Sequence, residues 1–350
     1  MRRLPVYFLV DVSESMVGEP IKQVEDGMRQ IVQELRTDPY ALETVFVSVI
    51  AFAGKAQTLS PLTELYKFYP PVFPIGGGTS LGEAFNYLMD DIDKNVVKTT
   101  EECKGDWKPI VFLFTDGTPT DDPTKAFARW NLGYRRKANL VAVSIGNNVD
   151  TQMLGQVTDN VLRLADTDEI SFKLFYEWVT ESIKSTTVSV SDMGDDTVAL
   201  APTSGINLEK VDTSKPCVVD ENFTVLLGRC SNTKQTYLVK YARHLSSVVR
   251  TESFELKTKT SDFKLVGAYP VDEETYNSLS NGQSNRRIST TALRGVPICP
   301  CCGNQFGVVV CECGNIMCSD GETTACPWCG LEGSLGVIEE GGIDITRGRG

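Results

Sequence analysis

Histidine is nearly missing from this chain: among 350 residues there is one, His244. A Ser-His-Asp or Cys-His catalytic arrangement would have to be built on it, and no nucleophile-elbow or Cys-nucleophile context points that way, so His244 reads as a surface residue. A GxxxxGK[ST] phosphate loop and a kinase signature set are also missing, and Gly76-Gly77-Gly78 lacks both the spacing and the preceding strand of a dinucleotide fingerprint. No apolar run approaches membrane-spanning length. Met1-Arg2-Arg3-Leu4-Pro5 leads straight into an apolar stretch, without a long apolar segment ending at a cleavage-like site, so neither a membrane anchor nor an export signal is expected. Positive charge is short as well. Against 46 Asp and Glu stand 34 Lys and Arg, a net charge of −12 that opposes non-specific binding to nucleic acid. The Arg286-Arg287 pair reads as a solvated loop. The expectation is a chain without turnover of its own.

What is present begins with alternation of strand and helix patterns. Val6-Tyr7-Phe8-Leu9-Val10 is a continuous apolar run suited to a central parallel strand covered on both faces. Pro20 suits a first helical turn, and Ile21, Val24, Met28, Ile31, Val32 and Leu35 then recur at helical spacing. A second strand is expected over 44–52, a less regular one near 57–62, and further strands over 110–114 and 139–145. Ser80 with Glu83 forms a capping-box pattern ahead of Leu81, Ala84, Phe85, Leu88, Met89 and Ile92, and helices are expected near 123–137 and 169–185. This order predicts an α/β fold over 1–190 with a doubly wound, mostly parallel sheet, whose ligands bind outside the carboxyl ends of the strands.

Three segments fall on that rim. Asp11-Val12-Ser13-Glu14-Ser15 follows the first apolar run, Thr79 follows the three glycines at a helix entrance, and Asp116 follows the run 110–114. Taken singly, each is a common turn or cap composition. Taken in order, Asp11, Ser13, Ser15, Thr79 and Asp116 offer two carboxylates and three hydroxyls, a set suited to a hard divalent cation: Mg²⁺, or else Mn²⁺ or Ca²⁺. A Mg²⁺-assisted hydrolase is the catalytic alternative, but a hydroxyl-rich set suits ligand capture better than general-base chemistry.

Residues 191–196 read as a linker, and the pattern of 191–295 is rich in strand candidates, near 223–227, 236–241, 254–257 and 263–266. Asn281 to Asn285 reads as an exposed turn. Eight of the eleven cysteines then crowd into 299–329. Cys299-Pro300-Cys301-Cys302-Gly303 and Cys326-Pro327-Trp328-Cys329-Gly330 are two CPxCG knuckles, and Cys299, Cys302, Cys326 and Cys329 are expected to close one structural Zn²⁺ site in a small ribbon-like module over 296–335. A hairpin should fill the interval. Cys301, Cys311, Cys313 and Cys318 are left either as a second thiolate site or as buried or free thiols, and Cys103, Cys217 and Cys230 as unpaired thiols. Knuckles rather than disulfide spacing imply a reducing cytoplasm. The Gly-rich tail, 336–350, is expected to fray.

The DxSxS…T…D arrangement resembles the metal-ion-dependent adhesion site of von Willebrand factor A (vWA) domains. The resemblance implies that Ser13, Ser15 and Thr79 contact the metal directly or nearly so, that Asp11 and Asp116 act largely through water, and that a partner protein's carboxylate completes the coordination. A vWA domain followed by a β-rich stretch and the segment CPxCG…CxCG…CPxCG is similar to the bacterial TerY family of tellurium-resistance-associated proteins. That likeness implies a cytoplasmic scaffold in a chemical-stress circuit, with a Ser/Thr kinase and a protein phosphatase as partners. The alternatives are a vWA-plus-zinc subunit of a transcription or DNA-repair complex, whose metal motifs are often degenerate, and an extracellular adhesion module, which the zinc knuckles disfavour.

Overall fold

The structure is a computed structural model, and it describes residues 2–116, 118–145, 150–164, 169–193, 201–202, 208–211, 223–243, 247–250, 255–258, 262–282, 286–333 and 342–348. Two compact units are formed, one from Met1–Phe73 with Thr79–Val219 and the other from Pro74–Gly78 with Asp220–Gly350.

In the first unit the elements run β1 (Leu4–Asp11), α1 (Glu19–Leu35), α2 (Pro39–Thr44), β2 (Val45–Phe52), β3 (Ala56–Glu64), α3 (Leu81–Asn95), β4 (Ile110–Thr115), α4 (Thr124–Gly133), β5 (Asn139–Ile145), α5 (Thr151–Leu154), β6 (Val161–Leu164), α6 (Glu169–Met193) and β7 (Leu208–Lys210). Seven strands form one sheet in the order β3-β2-β1-β4-β5-β6-β7. The five central strands are parallel, and β3 and β7 close the two edges antiparallel, so the sheet is mixed. Every residue of β1 and β4 is buried, which is why both read as unbroken apolar runs rather than as alternation.

On one face, Phe8 stacks with Phe112 and Phe114, and Phe175 of α6 meets Phe114 edge-on. On the other, α3 and α4 bring Phe85, Phe127 and Trp130 against Tyr7, Leu9, Val111 and Leu113. Gly27 lets α1 approach α6 closely, since a Cβ there would lie 1.9 Å from the buried Tyr176 ring. Strand order reverses between β1 and β4, which run side by side from Val6↔Ile110 to Val10↔Phe114. A crevice at such a switch point is where open α/β sheets bind ligands.

Two expectations need correction here. The last helix runs on to Met193, through the first residues of the segment read as a linker, while 194–196 lie outside the described residues. Ser80 makes no side-chain capping bond. Instead Asp121, from the loop after β4, accepts hydrogen bonds through Oδ2 from the N–H groups of Gly82 (2.9 Å) and Glu83 (3.4 Å), so the α3 cap comes from a residue distant in sequence.

The second unit contains β8 (Phe223–Arg229), β9 (Thr236–Arg243), β10 (Ser247–Arg250), β11 (Glu255–Thr258), β12 (Phe263–Pro270), α7 (Glu273–Leu279), β13 (Arg287–Ser289), β14 (Leu293–Arg294), β15 (Phe306–Val310), β16 (Ile316–Ser319), β17 (Thr324–Ala325), β18 (Glu332–Gly333) and β19 (Asp344–Thr346). Its main sheet has the order β14-β12-β9-β8-β16-β15. The regions 191–295 and 296–335 were expected as separate pieces, but the β15–β16 hairpin joins the sheet of the β-rich region because β16 pairs parallel with β8. Part of the tail is also ordered. Asp344–Thr346 pairs antiparallel with β13, and Ile345 is buried in this unit's apolar core. His244, Cys217, Gln283 to Asn285 and residues 334–341 lie outside the described residues.

Candidate metal centres

Asp11 ends β1, and the chain turns at once, with the Val12 N–H bonding to Phe52 O (2.8 Å) and Glu14–Met16 forming a single 3₁₀ turn. The Asp11 carboxylate is fully buried. Its Oδ1 accepts from the Ser13 N–H (2.9 Å) and its Oδ2 from the Thr115 hydroxyl at the end of β4 (2.7 Å). Ser13 Oγ lies 3.0 Å from Ser15 Oγ, and the Ser15 hydroxyl donates to Asp116 Oδ1 (2.7 Å). Four of the five expected oxygen-bearing residues therefore meet at the β1/β4 switch point in one hydrogen-bonded set.

The fifth, Thr79, stands at the entrance to α3. Its N–H donates to Thr120 Oγ1 (3.0 Å) and its carbonyl accepts from the Thr120 N–H (2.8 Å), so the backbone is held from both sides. Its hydroxyl is buried and finds no hydrogen-bond partner among the described residues. Leaving such a group unsatisfied costs about 1–3 kcal/mol. Burial, then the neighbouring Asp116 charge, pushes the Asp11 carboxyl up to about 7, against the opposing bonds from Thr115 and Ser13. Two buried carboxylates and an orphaned hydroxyl form a donor set that fits a cation. Thr115, Thr120 and Asp121 position this site and were not singled out in the sequence. Thr115 stood just past the run 110–114, and Thr120 and Asp121 stood in the interval before the helix expected near 123–137.

The cysteines of the second unit assemble into two sets of four: Cys230, Cys299, Cys302 and Cys318, and Cys311, Cys313, Cys326 and Cys329. The expected single site, Cys299 and Cys302 with Cys326 and Cys329, is corrected. The knuckles belong to different sets. The reason is the β15–β16 hairpin. Its tip carries Cys311 and Cys313 toward the Cys326–Cys329 turn, while its return strand brings Cys318 back to the Cys299–Cys302 turn. The parallel register Met317↔Arg229 then sets Cys318 beside Cys230. Cys301 joins neither set, so the grouping of Cys301 with Cys311, Cys313 and Cys318 does not occur either.

Sulfur separations of 3.7 Å (Cys302–Cys318), 3.8 Å (Cys230–Cys318), 3.7 Å (Cys311–Cys329) and 3.9 Å (Cys313–Cys326) recur across both sets. A tetrahedral site with Zn–S bonds of about 2.3 Å has sulfur–sulfur edges of about 3.8 Å, so both sets have the dimensions of a closed tetrathiolate site. Burial raises the thiols of Cys299, Cys302 and Cys311 to about 12. Cys230 and Cys313 move the other way, to about 6 and about 7, because hydrogen bonds centred on Thr233 and Asn315 outweigh the burial that would raise them. A cation would be needed for all four thiols of a set to ionise together.

One turn geometry serves three of these segments. Cys299 and Cys326 each accept, at the carbonyl, from the N–H of a glycine four residues on, Gly303 (3.0 Å) and Gly330 (2.9 Å), and both glycines have positive φ, 80° and 79°. Cys230 repeats the pattern: its carbonyl accepts from the Lys234 N–H (3.0 Å), and Lys234, at φ 63°, is the one non-glycine residue with positive φ among the described residues. Cys230 therefore heads a third knuckle. The usual marker, glycine, is replaced by lysine, and a lone cysteine 69 positions from the next ligand offered no spacing to read.

Comparison with known proteins agrees with the division of the chain. Residues 6–175 match the von Willebrand factor type A domain, and residues 220–350 match the TerY-C metal binding domain. A curated relative, inter-alpha-trypsin inhibitor heavy chain H1 of Bos taurus, is 25% identical over 154 residues, which are 43% of this chain and 17% of that protein. Among solved structures, proximal thread matrix protein 1 from the mussel byssus aligns with a TM-score of 0.39 at 16% identity, over 52% of this chain and 48% of its own. The ArnB paralog VWA2 of Sulfolobus acidocaldarius aligns with a TM-score of 0.39 at 12% identity, over 80% of this chain and 70% of its own.

Proposed function

We propose that this chain, which belongs to the TerY family by its vWA domain and its TerY-C metal binding domain, is a non-catalytic scaffold that captures a partner protein in a divalent-cation-dependent way. The observation that carries this reading is the buried Thr79 hydroxyl, without a partner among the described residues, on the same rim as the linked Asp11, Ser13, Ser15 and Asp116 set. Asp11, Asp116 and the three hydroxyls would hold Mg²⁺, or Mn²⁺ or Ca²⁺ in its place, and the ion would supply positive charge at the rim for a partner's carboxylate. Thr115 and the Ser13 N–H fix the Asp11 carboxylate, so the rim is organised before the partner arrives.

The two sulfur sets would each hold one Zn²⁺, giving folding free energy to the second unit rather than a reactive position, since four thiolates close the coordination sphere. Thiol-ligated zinc suits a reducing compartment, and no helix among the described residues is long and apolar enough to cross a membrane. A place in a bacterial chemical-stress circuit, beside a Ser/Thr kinase and a protein phosphatase, extends the same reading. The test is a paired capture experiment from stressed cells, with tagged full-length chain in buffer with and without Mg²⁺, beside the Asp116→Ala variant. Capture of a partner that needs both Mg²⁺ and Asp116 supports the scaffold. Capture indifferent to both, or Mg²⁺- and Asp116-dependent hydrolysis of a phosphate ester by the purified chain, overturns it.

A further inference from the structure

The two sulfur sets differ in their surroundings. Cys230, Cys299 and Cys318 are buried and belong to the apolar core of the second unit, packed with Tyr237, Val239 and Ile316. Cys318 lies inside strand β16 and also receives the Ser231 N–H (3.3 Å). In the other set only Cys326 is buried; Cys311 is half-buried, and Cys313 and Cys329 are exposed. These four lie at turns, Cys311 and Cys313 between β15 and β16 and Cys326 and Cys329 between β17 and β18, and none is a member of that core. Solvent-borne oxidants therefore meet two exposed cysteines, Cys313 and Cys329, in one set, whereas the other has none exposed: Cys302 is half-buried and its three partners are buried.

We infer that Cys311, Cys313, Cys326 and Cys329 form a thiol-oxidation site, which releases its metal to hydrogen peroxide while the buried set keeps its own. The inference rests on the zinc occupancy proposed above. The exposed Cys329 thiolate attacks one peroxide oxygen: an S–O bond forms, the O–O bond breaks and hydroxide leaves. The Cys311 thiolate, whose sulfur lies 3.7 Å from that of Cys329, then attacks the sulfenic sulfur; an S–S bond forms, the S–O bond breaks and a second hydroxide leaves. Two thiolates lose two electrons and peroxide gains them. Cys313 and Cys326 remain as two ligands where four held the ion, so the metal leaves, while the Cys311–Cys329 disulfide keeps the two turns tied. The sheet and its core, built on the other set, stay intact.

The experiment uses the full chain reconstituted with Zn²⁺, its zinc counted by elemental analysis and then exposed to hydrogen peroxide in the presence of a chromogenic zinc chelator. One zinc per chain should leave at least about tenfold faster than the other, in keeping with the exposure of its thiolates. Peptide mapping at that point should find a Cys311–Cys329 disulfide, with Cys230, Cys299, Cys302 and Cys318 still open to alkylation after unfolding, and a dithiol reductant with added Zn²⁺ should restore the starting content. Cys329→His, which keeps a zinc-binding side chain but removes the attacking sulfur, should bind two zinc ions and lose the fast phase. Fewer than two ions before peroxide overturns the metal reading and this inference with it. Two ions released in a single phase, release from the buried set first, or an unchanged fast phase in Cys329→His overturns this inference alone.

Discussion

The Sγ atoms of Cys230 and Cys318 lie 3.8 Å apart across 88 positions of sequence, because β8 and β16 run parallel with Arg229 opposite Met317. Cys230 is therefore a ligand-set member and Cys301, though flanked by two of them, is not. Cys230→Ser should lower the zinc content by one ion and loosen the second unit, seen as faster amide exchange in β8, β9 and β16. Cys301→Ser should retain two ions. Equal zinc content in the two variants would refute the grouping.

Gly303 heads the turn that closes the first knuckle, at φ 80°, with open space where a Cβ would stand. Gly303→Ala meets no clash, so its cost is that of the left-handed backbone alone, about 1–2 kcal/mol. Denaturant unfolding of the second unit should show that loss, and Gly133→Ala, in a helix with equally open surroundings, should show none.

Asp121 caps α3 from outside the helix, with Oδ2 on two of its first N–H groups. Asp121→Ala should destabilise the first unit by about 0.5–2 kcal/mol, the usual range for a lost cap. Ser80→Ala should cost much less, since Ser80 makes no side-chain capping bond. Thermal unfolding of both variants checks the order, and a larger loss in Ser80→Ala would contradict it.

Asp11 holds its proton more tightly in the fold than in the unfolded chain, because burial and then the Asp116 charge raise it to about 7. Without divalent cations, the stability this group contributes is therefore fully present at low pH and is lost as pH rises through about 7. A bound cation favours the ionised form, so the gain in melting temperature on adding Mg²⁺ should be larger at pH 8 than at pH 5. A gain independent of pH, or larger at pH 5, would contradict the site.

The first unit was legible because its rules are local. Buried parallel strands show as apolar runs, as in β1 and β4, and the helical faces of α1 and α3 show at 3.6-residue spacing. The oxygen-bearing residues of the rim could be named because Asp11, Ser13, Ser15 and Asp116 follow such runs and Thr79 stands at the entrance to a helical face. Thr115, Thr120 and Asp121 escaped because what they do depends on which loops the sheet order brings together. The cysteine partition escaped for the same reason. Knuckles of equal spacing suggest a pair, and only the reversal of the β15–β16 hairpin and the β8–β16 register show that each takes its partners elsewhere.

The most direct test of the cation-dependent scaffold is calorimetric titration of Mg²⁺ into the zinc-loaded full chain, compared with the Thr79→Val variant, which removes the orphaned hydroxyl and keeps the side-chain volume. One Mg²⁺ per chain in the parent, weakened at least about tenfold in the variant, is the predicted result. The same Mg²⁺ affinity in both chains, or none in either, would contradict the account.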